Sequence, residues 1–360
     1  MTALKLTAHN YILEIDSYKP GKESIKGQEA IKLSSNENAL GSSPQALEAY
    51  NKHDSKVMRY ADGSCLELRT AIGKDNNINK DNIVCGAGSD ELIALLTSSF
   101  AKEGDEIIYS QYGFLMYPIS AKRIGAKPVK IAEKNFKADI KGIISAINEK
   151  TKIIFIANPN NPTGSYLNKE EIEELVAKTP KNILIVLDHA YQEFVEEIDY
   201  PNAINLVERN ENIVVTRTFS KIYGLASLRI GWCYSSEYVA DVLNKTRGPF
   251  NVGGPAQVAA IAAIEDKEFS KKSKDHNKKW LQILSEEISK IDKIKVHPSV
   301  ANFILIDFGN ENACQNANKT LLEEGIILRE TKAYGLQNCL RMTVGTEEEN
   351  MKTIKILKNL

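Results

Sequence analysis

From Thr216 to Arg229 the chain reads Thr-Arg-Thr-Phe-Ser-Lys-Ile-Tyr-Gly-Leu-Ala-Ser-Leu-Arg, directly after the apolar run Ile213-Val214-Val215. The apolar run reads as a buried strand. At its end the sequence gathers hydroxyls, Lys221 and, beyond a small-residue turn, Arg229. A lysine beside anion-binding groups at the mouth of a parallel sheet is suited to form a Schiff base with a phosphorylated aldehyde. Ser-Lys pairs are common, so the weight of this reading rests on what lies upstream.

Upstream, short apolar runs recur and end in turn-forming residues: 83–86, 106–109, 152–158 and 183–188. Near-continuous apolarity marks strands buried on both faces, as in a parallel α/β sheet. Between them lie amphipathic helices, one of them opened by Asn168 as N-cap with Glu171 three residues on. After residue 245 the pattern changes to a lysine-rich helical region, 267–290, followed by strand-like runs at 302–308, 325–329 and 340–344. The expected architecture is α/β. An N-terminal arm (1–43), expected to join the small domain, precedes a large domain with a mostly parallel central sheet (44–245) and a smaller α+β domain (246–360).

Composition narrows the function classes. Among 360 residues, 46 Lys+Arg balance 47 Asp+Glu, giving a formal net charge of -1 and no electrostatic footprint for nucleic acid or an anionic membrane. Five scattered cysteines without a Cys-x-x-Cys pair read as free thiols of a reducing cytoplasm. No His/Cys/Asp grouping has metal-ligand spacing, so no metal is expected. Nowhere do about 18 apolar residues run uninterrupted, and the first residues lack the apolar core of a signal peptide.

The chemistry-bearing residues fall where the expected parallel strands end, the edge at which open α/β sheets bind ligands. Asn158-Pro159-Asn160-Asn161-Pro162-Thr163-Gly164 follows one strand. Two prolines and a glycine make it a rigid turn, yet its asparagines exceed what a turn needs. Asp188 ends the next strand and reads either as a helix N-cap or as the partner of a buried cation. The ring nitrogen of pyridoxal 5'-phosphate is such a cation, and Tyr191 is placed to hydrogen-bond a ring substituent. Gly86-Ala87-Gly88-Ser89-Asp90-Glu91 is neither a dinucleotide fingerprint nor a Walker loop. It still offers backbone N–H groups and a helix start to an anion. Arg229 can grip a phosphate or form a surface ion pair, and Arg329 and Arg341 lie in or at the end of small-domain strands.

Taken in order, Asn-Pro-Asn-Asn-Pro-Thr-Gly, Asp188-x-x-Tyr191, Ser220-Lys221 and Arg229 resemble the fold-type I pyridoxal-phosphate-dependent aminotransferases. The spacings of 27 and 33 residues between Asn161, Asp188 and Lys221 fit that superfamily. From end to end the chain is similar to the histidinol-phosphate aminotransferases. Tyr18-Lys19-Pro20-Gly21-Lys22, Ser34-Ser35-Asn36-Glu37-Asn38, Arg59-Tyr60, Arg247-Gly248-Pro249-Phe250-Asn251-Val252 and Leu340-Arg341-Met342-Thr343-Val344-Gly345 support this likeness.

The resemblance implies roles for particular residues. Lys221 would be the Schiff-base lysine and Asp188 the partner of the ring nitrogen, with Asn161 and Tyr191 on the ring's phenolic oxygen. Gly88, Ser89, Asp90, Thr218, Ser220 and Arg229 would surround the cofactor phosphate. Phe114 would stack on the ring, with Tyr112 as rival. Tyr60 would reach the cofactor of a neighbouring subunit in a homodimer. Tyr18, Asn36, Glu37, Arg329 and Arg341 would contact substrate.

The implied reaction is transamination of L-histidinol phosphate with 2-oxoglutarate in histidine biosynthesis, in the cytoplasm. Competing readings are an aromatic amino-acid aminotransferase, a decarboxylase of an amino-acid phosphate, and a cofactor-binding regulatory module. Three positions depart from the family's habit: Ala39, Ala61-Asp62-Gly63 after the arm tyrosine, and His189.

Overall fold

The computed structural model describes residues 6–17, 21–25, 30–53 and 57–360. A two-residue β1 (Ile31–Lys32) precedes seven strands that form one sheet. These are β2 (Ile83–Gly86), β3 (Glu106–Ser110), β4 (Lys127–Ile131), β5 (Thr151–Ala157), β6 (Leu184–Asp188), β7 (Ile213–Thr218) and β8 (Gly231–Tyr234). Their order is β2-β8-β7-β6-β5-β3-β4. β8 runs antiparallel to both neighbours and every other pairing is parallel. The α/β expectation holds. β4 and β8 were not legible as strands: Lys127-Pro128-Val129-Lys130-Ile131 interleaves lysines and holds a proline, which an edge strand tolerates. β8 is four residues long and opens on a glycine.

Side chains alternate across the sheet with period two, and that parity decides which residues can meet the ligand edge. Ile154, Ile156, Ile185, Leu187, Ile213 and Val215 point into one core. Ile153, Phe155, Leu184, Val186 and Val214 point into the other, together with Tyr117. Asp188 continues the parity of Leu184 and Val186, and Thr216 and Thr218 continue that of Val214. All three therefore emerge on the Tyr117 side, while Arg217 faces the other way and pairs with Glu193 at 2.8 Å. The helix Lys169–Lys178 carries the expected capping box between Asn168 and Glu171.

The C-terminal part forms a second sheet, in the order β12-β13-β10-β9. Its strands are β9 (Lys295–His297), β10 (Phe303–Asp307), β12 (Arg329–Glu330) and β13 (Cys339–Thr343). The run read as one strand at 325–329 divides into β11 (Ile326–Ile327), which pairs parallel with β1, and β12. Leu33, Trp280, Leu284, Ile288, Ile304 and Met342 share this part's core, so the arm's end belongs to it. The helix Lys267–Ser289 lies where the lysine-rich pattern placed one.

Beyond residue 245, where the sequence reading sets the boundary, one more helix packs with the large sheet. The helix Gly254–Glu265 buries Ala256, Ala259, Ala260 and Ala263 within the core of the large sheet. It packs on the helices Pro44–Asn51 and Leu66–Asn76. Alanines let helix backbones approach closely, and an apolar surface all round marks a buried helix rather than the start of a new unit. We place the crossover near Asp266.

Phe155 is fully buried and stacks on Tyr117, with ring centroids 4.7 Å apart and planes 3° apart. Phe155→Ala should therefore lower unfolding stability by about 3–5 kcal/mol in urea titration; a loss below ~1 kcal/mol would contradict the packing described.

Candidate active site

The parallel strands deliver their C-terminal ends side by side, with Ala157 opposite Asp188 and Asp188 opposite Thr216. A cavity of about 270 Å³ opens above them. At its floor the Asp188 carboxylate accepts the Tyr117 hydroxyl at 2.7 Å and the Thr216 hydroxyl at 3.1 Å. No α-helix starts at Asp188, and Tyr191, not Asp188, caps the short turn Gln192–Phe194. The cap reading is therefore set aside. Burial raises the Asp188 pKa to about 6, and the two hydroxyls pull the other way. A cation placed against this carboxylate is the remaining means of favouring its ionised form.

Lys221 stands on the wall, its Nζ donating to the Ser35 carbonyl at 3.1 Å and lying 5.6 Å from the Tyr191 ring centre. Burial first, and the Arg341 guanidinium second, lower its pKa to about 8. The amine is thus much closer to its reactive, neutral form at physiological pH than an ordinary lysine. The Tyr191 hydroxyl accepts Asn36 Nδ2 at 2.9 Å. Asn36 itself has φ +54°, a left-handed backbone that asparagine tolerates. Its own N–H donates to Thr343 Oγ1 at 2.9 Å, which ties this wall to the small sheet.

The polar end of the cavity lies at the start of the helix Ser89–Phe100, capped by Gly88 at φ +86°. The first N–H groups of a helix lack intrahelical partners and point outward with the positive end of its dipole. Ser89, Asp90, Thr218, Ser220 and Arg229 line this end. Arg229 donates to Ser220 Oγ at 3.4 Å and to Asp90 Oδ2 at 3.2 Å. A Cβ at Gly88 would lie 2.5 Å from Arg229 Nη2, so the missing side chain makes room for the guanidinium. Arg229 has φ +49°, a strained conformation that only its surroundings impose.

On the opposite wall Arg329 and Arg341 are direct cross-strand partners, so both side chains leave the same face of the small sheet. Both are buried and line the cavity. Arg341 donates through Nη2 to the Ser34 carbonyl at 2.7 Å and through Nη1 to Asn161 Oδ1, and lies over the Phe303 ring. Glu37 faces the cavity while bonded to Lys32 at 3.0 Å.

Most of the residues singled out in sequence therefore meet in one cavity: Lys221, Asp188, Tyr191, Asn161, Phe114, the polar end, and Asn36, Glu37, Arg329 and Arg341. Between the two aromatic candidates, Phe114 lines the cavity, whereas Tyr112 stacks on Phe136. Tyr60 stays out of this cavity, 84% exposed and stacked on Phe250 at 4.5 Å. Tyr18 lies outside the described residues. Sequence reasoning missed Tyr117, Thr216 and Tyr334. Strand parity, two residues before Thr218, was the signal for Thr216; Tyr334 follows a short turn with no pattern of its own.

The lysine, the floor carboxylate and the anion-binding end fit pyridoxal phosphate by chemistry: an amine for its aldehyde, a carboxylate for its ring nitrogen, N–H groups and a guanidinium for its phosphate. The chain matches the aminotransferase class I and II family over residues 28–357. It is 47% identical to the histidinol-phosphate aminotransferase of Paramagnetospirillum magneticum and 44% identical to that of Maricaulis maris, each over 96% of both chains. The crystal structure of the Sinorhizobium meliloti histidinol-phosphate aminotransferase in complex with pyridoxal-5'-phosphate superposes with a TM-score of 0.86 at 25% identity, covering 92% of this chain and 91% of that one. The Clostridium acetobutylicum histidinol-phosphate aminotransferase gives 0.83 at 27% identity, over 91% and 98% of the two chains. The cofactor is pyridoxal phosphate, and the chain belongs to the class I and II aminotransferases, within them to the histidinol-phosphate aminotransferase family.

Proposed function

We propose that the protein transfers the amino group of L-histidinol phosphate to 2-oxoglutarate. The observation that carries the substrate reading is the pair of buried guanidiniums opposite each other on β12 and β13. Two guanidiniums leaving one face of a sheet offer an oxyanion a paired set of donors. Histidinol phosphate brings a phosphate, and glutamate brings a second carboxylate, to the same place; an arginine accepts either oxyanion geometry.

When bound, pyridoxal phosphate supplies an aldehyde for the substrate amine and a protonated ring that takes up electrons released at the substrate's Cα. Asp188 would hold the ring nitrogen in its protonated form. Asn161 and Tyr191 would hold the ring at its phenolic oxygen, and Phe114 would pack on its face. Lys221 Nζ removes the proton from the substrate's Cα and delivers it onward, its lowered pKa suiting it to both roles. Arg329 and Arg341 hold the substrate's anionic end, with Asn36 and Glu37 beside them.

The active form is a homodimer in this reading. Val57, Met58, Tyr60, Leu66 and Phe250 are large, exposed apolar residues. Tyr60 is stacked outward on Phe250, available to a neighbouring subunit's cofactor phosphate. Five free, buried cysteines suit a reducing cytoplasm. Among the described residues no helix is long and apolar enough to cross a membrane.

Three outcomes are expected. The rate at which cofactor-free protein captures pyridoxal phosphate, followed by visible absorbance, should rise with pH and level off near the Lys221 pKa of about 8; a rise continuing to about 10, the value of an ordinary lysine, would contradict that environment. Arg341→Ala should raise KM for histidinol phosphate roughly tenfold or more while the protein still binds its cofactor. Finally, kcat/KM for histidinol phosphate should exceed that for phenylalanine and tyrosine; the reverse order would make this an aromatic amino-acid aminotransferase, a reading the Phe114 and Tyr334 rings in the wall favour.

A further inference from the structure

The loop that forms the polar end of the cavity is held by a side chain outside the cavity lining. Gly86-Ala87-Gly88 turns from β2 into the helix Ser89–Phe100, with the Gly88 N–H donating to the Gly86 carbonyl at 2.8 Å. The Ala87 N–H does not join the helix. It donates to Glu91 Oε2 at 2.6 Å. The same oxygen accepts Asn251 Nδ2 at 2.7 Å, and Asn251 Nδ2 also donates to the Cys85 carbonyl at 3.1 Å. Asn251 is fixed in turn by Arg247 Nη1, which donates to its Oδ1 at 3.1 Å. One carboxylate and one amide therefore grip the loop at two successive points, Cys85 and Ala87. Asn251 follows Phe250, the residue on which Tyr60 stacks.

We propose that Glu91 is a positioning residue for the cofactor phosphate. By holding the Ala87 amide it sets the direction in which the Ser89 and Asp90 N–H groups leave the helix start. Asn251 ties that grip to the surface carrying Tyr60 and Phe250. The inference rests on the reading that this end of the cavity binds the phosphate.

Its sign separates it from a simple charge effect. A carboxylate near a phosphate repels it, so on Coulomb grounds alone removing Glu91 tightens cofactor binding. As a hydrogen-bond clamp, its removal loosens binding. A glutamine's amide oxygen accepts the same two hydrogens without the charge.

The test titrates cofactor-free wild type, E91A, E91Q, N251A and R229A with pyridoxal phosphate and, separately, with pyridoxal, which lacks the phosphate. Binding is read by absorbance and by quenching of intrinsic fluorescence. E91A should raise the dissociation constant for pyridoxal phosphate about tenfold, both hydrogen bonds to Glu91 Oε2 being lost, and change that for pyridoxal by less than about twofold. E91Q should recover most of the loss, and N251A should fall between. Tighter or unchanged binding by E91A overturns the inference, as does equal weakening by E91A and E91Q or an equal loss for pyridoxal. Should E91A fail to fold, N251A weakened beside a near-normal E91Q supports the clamp, and N251A at wild-type tightness overturns it. R229A separates the two levels: if it too leaves pyridoxal phosphate binding unchanged, the phosphate assignment fails; if only E91A is silent, the clamp alone fails.

Discussion

A carboxylate buried at the end of a strand is the constraint around which this protein is arranged. Asp188 lies where β6 leaves the sheet, away from water, with two hydroxyl donors for company. Removing a carboxylate from water without a countercharge is costly, and here the cost appears as a pKa lifted to about 6 by burial. Tyr117 answers part of it and is itself wedged against Phe155 in the core. The floor is therefore built as rigidly as the interior beneath it, with a negative site that a pyridinium nitrogen completes. Preorganisation of this kind leaves little to rearrange when charge develops in the reaction.

The large sheet makes only half of the cavity. The lysine, the carboxylate and the anion-binding loop come from the seven-stranded sheet, whereas the arginine pair comes from β12 and β13 of the small one. Arg341 bridges the halves by reaching both Ser34 in the arm and Asn161 in the loop after β5. It also helps depress the Lys221 pKa, so a guanidinium of the small sheet tunes an amine of the large one. An oxyanion set against that guanidinium would raise the basicity of Lys221.

Much of this was legible in sequence because the strands are short, apolar and end in polar residues, so the ligand edge announces itself. Asn161, Asp188, Lys221 and Arg229 were found that way, and the Asn168–Glu171 capping box was read residue for residue. Three kinds of feature escaped. β4 carries lysines and a proline that interrupt its apolar pattern. The alanine-rich helix 254–265 went unread because its burial comes from close helix packing rather than from large side chains. The Tyr117 hydroxyl sits on Asp188; that contact joins residues 71 apart in sequence, and no local pattern encodes it. The same holds for the Arg329–Arg341 register, which only the pairing of β12 with β13 reveals.

The segment from Ile31 to Ser42 runs as a seam through the molecule. It begins by pairing β1 with β11 of the small part and bonds Thr343 through Asn36. It ends by bonding the turn just after Lys221: Asn38 donates to the Ile222 carbonyl at 2.6 Å, and Ser42 Oγ to the Gly224 carbonyl at 2.7 Å. The reactive lysine thus sits on a turn whose backbone is stitched to chain from the far end of the sequence. A circularly permuted version opened inside this seam would cut the thread joining both halves, whereas termini relocated to the loop between β3 and the helix Ser89–Phe100 would leave it whole.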